Sequence, residues 1–248
     1  MKRMDDCFID LTVTSPPYDG LRDYNGYSFP FEDIAKELFR VTKDGGIVVW
    51  NVSDSTIKGS ESLTSFKQVI FFVEVCGFRL HDTMIFEKKN FVPLTHNRYE
   101  QCFEYMFVLS KGKPKTTNLI KEKSVSFGSN INTKNQKEDS SGKYAMRKRD
   151  HIYKTSEEKI RKNIFAYSTG NRESGKHVAP FPEKLAAEHI ISWSNEKDLV
   201  YDCFMGSGTT AKMAHIYKRN WIGSEISKEY TELANKRIEK YINQTTLF

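Results

Sequence analysis

Leu199-Val200-Tyr201-Asp202-Cys203-Phe204-Met205-Gly206-Ser207-Gly208-Thr209-Thr210 joins a strand end, a glycine turn and a helix start in one run. Its opening residues read as a short buried strand ending on an acid. Two closely spaced glycines make the turn, and Thr209 to about Tyr217 reads as a helix. Glycine permits positive φ and close approach of the backbone, so a ligand can rest on bare peptide N–H groups where the helix begins. The next strand, Asn220-Trp221-Ile222-Gly223-Ser224-Glu225, ends on another acid, 17 residues after Gly208. A carboxylate there is placed to accept hydrogen bonds from both hydroxyls of a ribose. Asp202 is placed to hold an ammonium group or to orient the turn. No Gly-Lys-Ser/Thr follows the glycines, which speaks against a Walker-type phosphate loop.

Working outward, helix and strand patterns alternate on both sides of this turn. Upstream, Pro180-Phe181-Pro182 breaks the chain, and a helix from about Glu183 to Ser194 turns Leu185, Ala186, His189, Ile190 and Trp193 to one side. Downstream, a last helix spans roughly Lys228–Tyr241. In the first half, residues 8–14 read as a strand, 31–42 as a helix, and Asp44-Gly45-Gly46 as a turn. Ile47–Val52 then reads as a strand, 63–76 as a helix stopped by Gly77, and His81–Glu87 and Cys102–Leu109 as two further strands. Such alternation implies an α/β fold with a mostly parallel sheet and helices on its faces.

The first strand ends at Thr14-Ser15-Pro16-Pro17-Tyr18. Two prolines stop helix and sheet pairing alike and fix the direction of carbonyls that no sheet partner claims. With the Ser15 hydroxyl, those carbonyls are suited to accept hydrogen bonds from an amino group. Tyr18 offers a flat ring for stacking a heterocycle. The amino nitrogens of bases are poor nucleophiles, because their lone pair is delocalised into the ring. Acceptors that localise this lone pair and aim it at a methyl donor lower the barrier through orientation and electrostatics. The plain alternative is a rigid loop with an ordinary buried tyrosine.

Charge separates the chain into parts. The formal net charge is +6, yet residues 111–163 hold 15 Lys/Arg against 6 Asp/Glu, leaving 23 basic and 26 acidic residues elsewhere. The basic excess belongs to that one segment, which is poor in aliphatics and reads as an inserted, partly irregular stretch. A localised basic stretch is the footprint expected for a polyanion; a solvated charged loop is its bland counterpart. Three regions follow: a catalytic half at 1–110, the insertion at 111–163, and a cofactor half at 164–248. No apolar run approaches the roughly 18 residues of a membrane span, so no membrane partner is expected. Cys7, Cys76, Cys102 and Cys203 form no CxxC pair and no zinc pattern, which points to a reducing compartment, no metal and a cytoplasmic enzyme.

Together these residues resemble the exocyclic-amino DNA methyltransferases of restriction–modification and phage origin. Ser15-Pro16-Pro17-Tyr18 looks like their [Asp/Asn/Ser]-Pro-Pro-[Tyr/Phe] motif, and Asp202–Thr210 is similar to Asp-Pro-Phe-x-Gly-Ser-Gly-Thr-Thr, with Cys203 in place of the proline. Pro180–Leu185 and Trp221–Glu225 resemble two further family segments. The order, catalytic motif first and cofactor motif last, is the circularly permuted β arrangement of this Rossmann-like fold. The resemblance implies that Phe181, Asp202, Phe204, Gly206, Ser207, Gly208, Thr209 and Glu225 contact S-adenosylmethionine. It implies that Ser15, Pro16, Pro17 and Tyr18 hold a base flipped out of double-stranded DNA. The basic insertion lies where the family places target recognition, and Arg147, Lys148 and Arg149 are close enough together to neutralise neighbouring phosphates.

Serine at the first motif position leans the resemblance toward N4-methylcytosine; Asp or Asn would lean it toward N6-methyladenine. Another reading is a catalytically silent nucleic-acid-binding protein of the same fold, disfavoured because both motifs are intact. A small-molecule or RNA methyltransferase fits the long basic insertion less well. Nothing resembles the Pro-Cys nucleophile of carbon-5 cytosine enzymes. Family members often begin with a strand ending in Gly-Asp before the catalytic strand, and only seven residues precede Phe8 here. The sheet edge is therefore expected to be covered by a partner in a homodimer or by the C-terminal tail.

Overall fold

The interior strands carry apolar residues at consecutive positions because helices cover both faces of the sheet they form. In the computed structural model, which describes residues 1–17, 29–90, 97–128, 130–131, 135–138, 144–147, 153–168 and 182–242, the chain divides into two compact units. One comprises Met1–Asn118 with Asn163–Phe248, the other Leu119–Lys162.

The larger unit begins with β1 (Ile9–Thr14), α1 (Phe31–Val41) and β2 (Thr42–Val52), then the small hairpin β3 (Thr56–Ile57) and β4 (Ser60–Glu61). Helix α2 (Thr64–Glu74) leads to β5 (Arg79–Lys88) and β6 (Phe103–Ser110). The smaller unit carries β7 (Lys121–Lys123), β8 (Asn130–Ile131), β9 (Asn135–Glu138), β10 (Tyr144–Arg147), β11 (Tyr153–Lys154) and β12 (Glu158–Ile160). The larger unit resumes with β13 (Ile164–Tyr167), α3 (Glu183–Trp193), β14 (Leu199–Asp202), α4 (Thr209–Ile216), β15 (Asn220–Gly223) and α5 (Lys228–Ile242).

Its seven-stranded sheet runs β13-β5-β6-β2-β1-β14-β15. Only β6 is antiparallel to its neighbours, so the sheet is mostly parallel, as the alternating pattern predicts. Alternate residues of the same strands go to opposite faces. Val48, Trp50 and Val52 share a core with Leu38 of α1 and Phe72 of α2. Leu11, Val13, Ile47 and Val49 share the other core with Leu185 and Ile190 of α3 and Ala214 of α4. The one polar atom of the Trp50 ring is satisfied, because its indole N–H donates to Gln68 Oε1 at 2.8 Å. Helix α5 packs on α4 through Ala234 and Ile238.

Four features differ from the sequence reading. Asp44-Gly45-Gly46 does not separate α1 from the strand but lies within β2, whose pairing with β1 jumps from Ile9↔Thr42 to Leu11↔Ile47. Gly45 takes a φ of +79° there, so the turn chemistry survives as a bulge. Strand β13, the short apolar run Ile164-Phe165-Ala166-Tyr167 beside a polar stretch, is not assigned from the sequence, yet it pairs parallel with β5 and forms one sheet edge. Strand β15 ends at Gly223, two residues before Glu225, and among the described residues it has no outer neighbour.

The fourth concerns the insertion. Its described strands pair antiparallel in nested order, β7 with β12, β8 with β11 and β9 with β10, the order of a two-stranded ribbon, within a stretch the sequence reads as partly irregular. Strands β7 and β12 are exposed or half-buried throughout, so no hydrophobic alternation marks them in the sequence. Glu122 stands directly opposite Lys159, and their side chains pair at 3.3 Å. Like charges are thereby interleaved with opposite ones along this exposed pair.

Candidate active site

β1 and β14 are adjacent and parallel, with Leu11 opposite Val200 and Thr12 opposite Tyr201. From β1 the chain crosses to β2 on one side, and from β14 to β15 on the other. The strand order therefore reverses between β1 and β14, the switch point where open α/β sheets bind ligands beyond their carboxyl ends. Ser15-Pro16-Pro17 leaves the end of β1, with Pro16 buried and its two neighbours half-buried. The glycine turn leaves the end of β14.

A buried carboxylate joins the two. Thr14 donates from Oγ1 to Asp202 Oδ1 at 2.6 Å, and Thr210, in the first turn of α4, donates to Asp202 Oδ2 at 2.7 Å. The Phe204 N–H donates to Oδ1 at 3.0 Å. Burial pushes the Asp202 carboxyl up to about 6, against the opposing pull of these three donors, and the nearby Glu225 charge adds to the rise. Cys203 points into the same junction, its thiol 3.6 Å from Thr14 Oγ1, and burial pushes that thiol far above its ordinary value. It is thus a packed, protonated group and no nucleophile.

The turn itself is held on three sides. Gly206 and Gly208 take φ of +49° and +80°. A Cβ on Gly208 would meet Ala234 Cβ at 3.0 Å and Ile238 Cδ1 at 3.1 Å, so α5 lies directly beneath the turn. The Met205 N–H donates to Ser224 O, and the Ser224 N–H to Asp202 O. Glu225 accepts from the Gly206 N–H at 2.8 Å and from the Ser227 N–H at 2.9 Å. Arg237 of α5 donates from Nη1 to Ser207 O, Ser207 Oγ and Thr209 Oγ1 at 3.1–3.2 Å, and from Nη2 to Glu183 at the start of α3. The Lys212 ammonium reaches the same Glu183 oxygen at 2.8 Å.

The structure thus brings Ser15, Pro16 and Pro17 to the strand end beside the one that carries Asp202, Phe204, Gly206, Ser207, Gly208 and Thr209, with Glu225 tied to the same turn. Phe204 is half-buried, edge-on to Phe29 at 5.6 Å and to Trp50 at 6.2 Å. Phe31 joins the core with Phe71 and Phe72. Tyr18, Phe181, Lys148 and Arg149 lie outside the described residues, and Arg147 closes β10. Sequence reading passed over Arg237, Glu183 and Lys212, which carry no local motif, and over Asp54. The Asp54 carboxylate, just beyond the end of β2, is buried and accepts from the Ser65 N–H at 3.0 Å and from the Ser62 and Ser65 hydroxyls. Its signal was an acid at a strand end three residues after an Asn, followed by serines at a helix start.

Over residues 9–236 the sequence matches the N6/N4 DNA methylase family. The chain belongs to that family. It is an S-adenosylmethionine-dependent DNA amino-methyltransferase. Over 244 residues it is 52% identical to the orphan methyltransferase M.BamHII of Bacillus amyloliquefaciens, spanning 96% of this chain and 91% of that one. Its fold is similar to that of the PvuII DNA methyltransferase described as cytosine-N4-specific, with a TM-score of 0.69 and 22% identity over 95% of this chain and 81% of the other. It is also similar to M1.HpyAVI in its S-adenosylmethionine complex, with a TM-score of 0.60 and 25% identity over 94% and 89% of the two chains. The residues present fit that cofactor. Positive-φ glycines permit close approach to the turn, the Phe204 ring stands beside it, and the Glu225 carboxylate at its edge is of the kind that accepts from a ribose diol.

Proposed function

We propose that this methyltransferase modifies the N4 amino group of cytosine in duplex DNA, with the base flipped out of the stack. The observation that carries the reading is the placement of Ser15-Pro16-Pro17 at the end of β1, beside the glycine turn at the end of β14. The bound cofactor supplies an electrophilic methyl group. The chain's own residues hold and orient the acceptor. The Ser15 hydroxyl and the carbonyls fixed by Pro16 and Pro17 accept hydrogen bonds from the amino group, which turns its lone pair out of conjugation and toward the donor. Tyr18 stacks on the flipped ring. Phe181, Phe204, Gly206, Ser207, Gly208, Thr209 and Glu225 line the cofactor side, and Asp202 sets the geometry between the two.

The ribbon is the DNA reader. The major groove admits a two-stranded β-ribbon, and this one presents exposed Lys121, Lys123, Lys154 and Lys159, with Arg147, Lys148 and Arg149 on phosphates. At the turn after β7, Val125 and Phe127 are 97% and 62% exposed, apolar groups suited to base edges. A second copy of the chain across the β15 edge is part of the same reading, and a monomeric solution mass with full turnover would exclude it. Relatives named type II methyltransferases support a restriction–modification setting in the cytoplasm. Single-molecule methylation sequencing of DNA from expressing cells tests the function and reports base and sequence together. N4-methylcytosine at one recurring sequence is expected; unmodified DNA would overturn the reading, and N6-methyladenine its choice of base.

A further inference from the structure

The residue that couples the two halves of the site belongs to neither motif. Thr14 precedes Ser15 at the end of β1, fully buried, and its hydroxyl donates to Asp202 at 2.6 Å across a sequence separation of 188 residues. Thr210 holds the other carboxylate oxygen at 2.7 Å and also donates to Val13 O at 3.3 Å. The Phe204 N–H shares Oδ1 with Thr14, so three donors from three segments hold the two carboxylate oxygens. Three segments meet there: the strand end that launches Ser15-Pro16-Pro17, the turn after β14, and the first turn of α4. In-line transfer demands that donor and acceptor be held within a fraction of an ångström, and the Asp202 carboxylate joins the two holding segments directly.

We propose that Thr14 is a positioning residue: with Thr210 it holds the Asp202 carboxylate as a fixed link that keeps the base-holding and cofactor-holding segments in register. The link needs the carboxylate ionised, because only then do both oxygens accept from hydroxyl donors. Groups facing Asp202 from the surrounding elements are few. Glu225 beyond β15 is the charge acting on it, Tyr201 and Cys203 flank it on its own strand, β1 and α4 supply only threonine hydroxyls, and Lys212 of α4 is engaged with Glu183. Removing the Thr14 hydroxyl withdraws a donor from the ionised form and makes Asp202 easier to protonate. Turnover then falls off at a higher pH than in the unaltered chain.

This inference rests on the methyltransferase reading above, and the test separates the two. The full chain and its Thr14→Val, Thr14→Ser and Thr210→Val variants are assayed with methyl-labelled S-adenosylmethionine and bacterial genomic DNA across pH 5 to 9. Cofactor affinity is measured by calorimetry without DNA. Thr14→Val is expected to lower kcat by about tenfold or more, the scale of one hydrogen bond to a charged group. Its cofactor Kd stays within about threefold, and the acid limb of its pH profile moves upward. Thr14→Ser restores both; Thr210→Val repeats the upward shift. An unmoved acid limb, or a Thr14→Ser chain as impaired as Thr14→Val, overturns the inference while leaving the methyltransferase reading intact. Absence of transfer by the unaltered chain defeats that reading instead. The link is then judged from thermal unfolding across the same pH range, where Thr14→Val must still raise the pH at which Asp202 ionises.

Discussion

Arg237 lies beneath the cofactor turn and donates from Nη1 to the carbonyl oxygen of Ser207 at 3.1 Å, although the two residues are 30 positions apart and on different elements. The same guanidinium binds the Ser207 and Thr209 hydroxyls and the Glu183 carboxylate, so it ties α5 and α3 to the turn. Removing one partner of a buried, hydrogen-bonded pair costs about 3–5 kcal/mol. Arg237→Met is therefore expected to lower the unfolding temperature and weaken cofactor binding together, whereas Glu183→Gln, which keeps one acceptor, costs less. Calorimetric melting and cofactor titration of the two variants check this order; equal losses would contradict it.

Gly208→Ala probes the turn from the other side. A positive φ costs a non-glycine residue about 1–3 kcal/mol, and the added Cβ would press on Ala234 and Ile238 at 3.0 and 3.1 Å. The expected outcome is a lower unfolding temperature and a raised cofactor Kd in the same protein. Unchanged affinity would mean that the turn does not carry the ligand.

Two buried groups give stability opposite slopes with pH. Burial holds the His189 imidazole down to about 3, so the folded chain keeps it neutral while the unfolded chain protonates it below its ordinary 6.5. Its contribution is present above 6.5 and is lost as the pH falls toward 3. Asp202, raised to about 6 from 3.8, does the reverse: its contribution is complete below 3.8 and is lost as the pH rises through 6. The stability of Asp202→Asn relative to the unaltered chain should therefore climb between pH 4 and 7 and then level off. Urea unfolding at stepped pH measures it, and a difference flat with pH would contradict the assignment.

Exchanging roles between the two sides of the site separates binding from chemistry. Tyr18→Ala removes base stacking of about 1–3 kcal/mol, so turnover on DNA should fall sharply while cofactor affinity stays near normal. Glu225→Ala should do the reverse. Wild-type turnover from Tyr18→Ala would remove that residue from the base pocket.

The parts legible in the sequence were those with local chemistry. Ser15-Pro16-Pro17 and Gly206-Ser207-Gly208 announce their turns through backbone constraints that no tertiary context is needed to read. Strands such as β2 and β14 were legible because burial on both faces makes them continuous apolar runs. What stayed hidden depends on contacts between distant segments. Strand β13 is only four residues long beside a polar stretch, so its apolar run Ile164–Tyr167 stood out only once its pairing with β5 was seen. Strands β7 and β12 of the insertion bury no side chain and so leave no periodic trace. Arg237 looks like any charge on an amphipathic helix until the turn is seen above it. The dual engagement of Asp202 by Thr14 and Thr210 requires two halves of the chain to meet, which only the permuted sheet order brings about.

The reaction assigned to this site is methylation of an exocyclic amine. It is tested most directly by incubating the purified chain with duplex DNA and labelled S-adenosylmethionine, digesting the DNA to nucleosides, and identifying the labelled one by mass and chromatography. N4-methylcytosine is the expected product. Label in N6-methyladenine would contradict the choice of base, and label in 5-methylcytosine would contradict the chemistry assigned to Ser15-Pro16-Pro17-Tyr18.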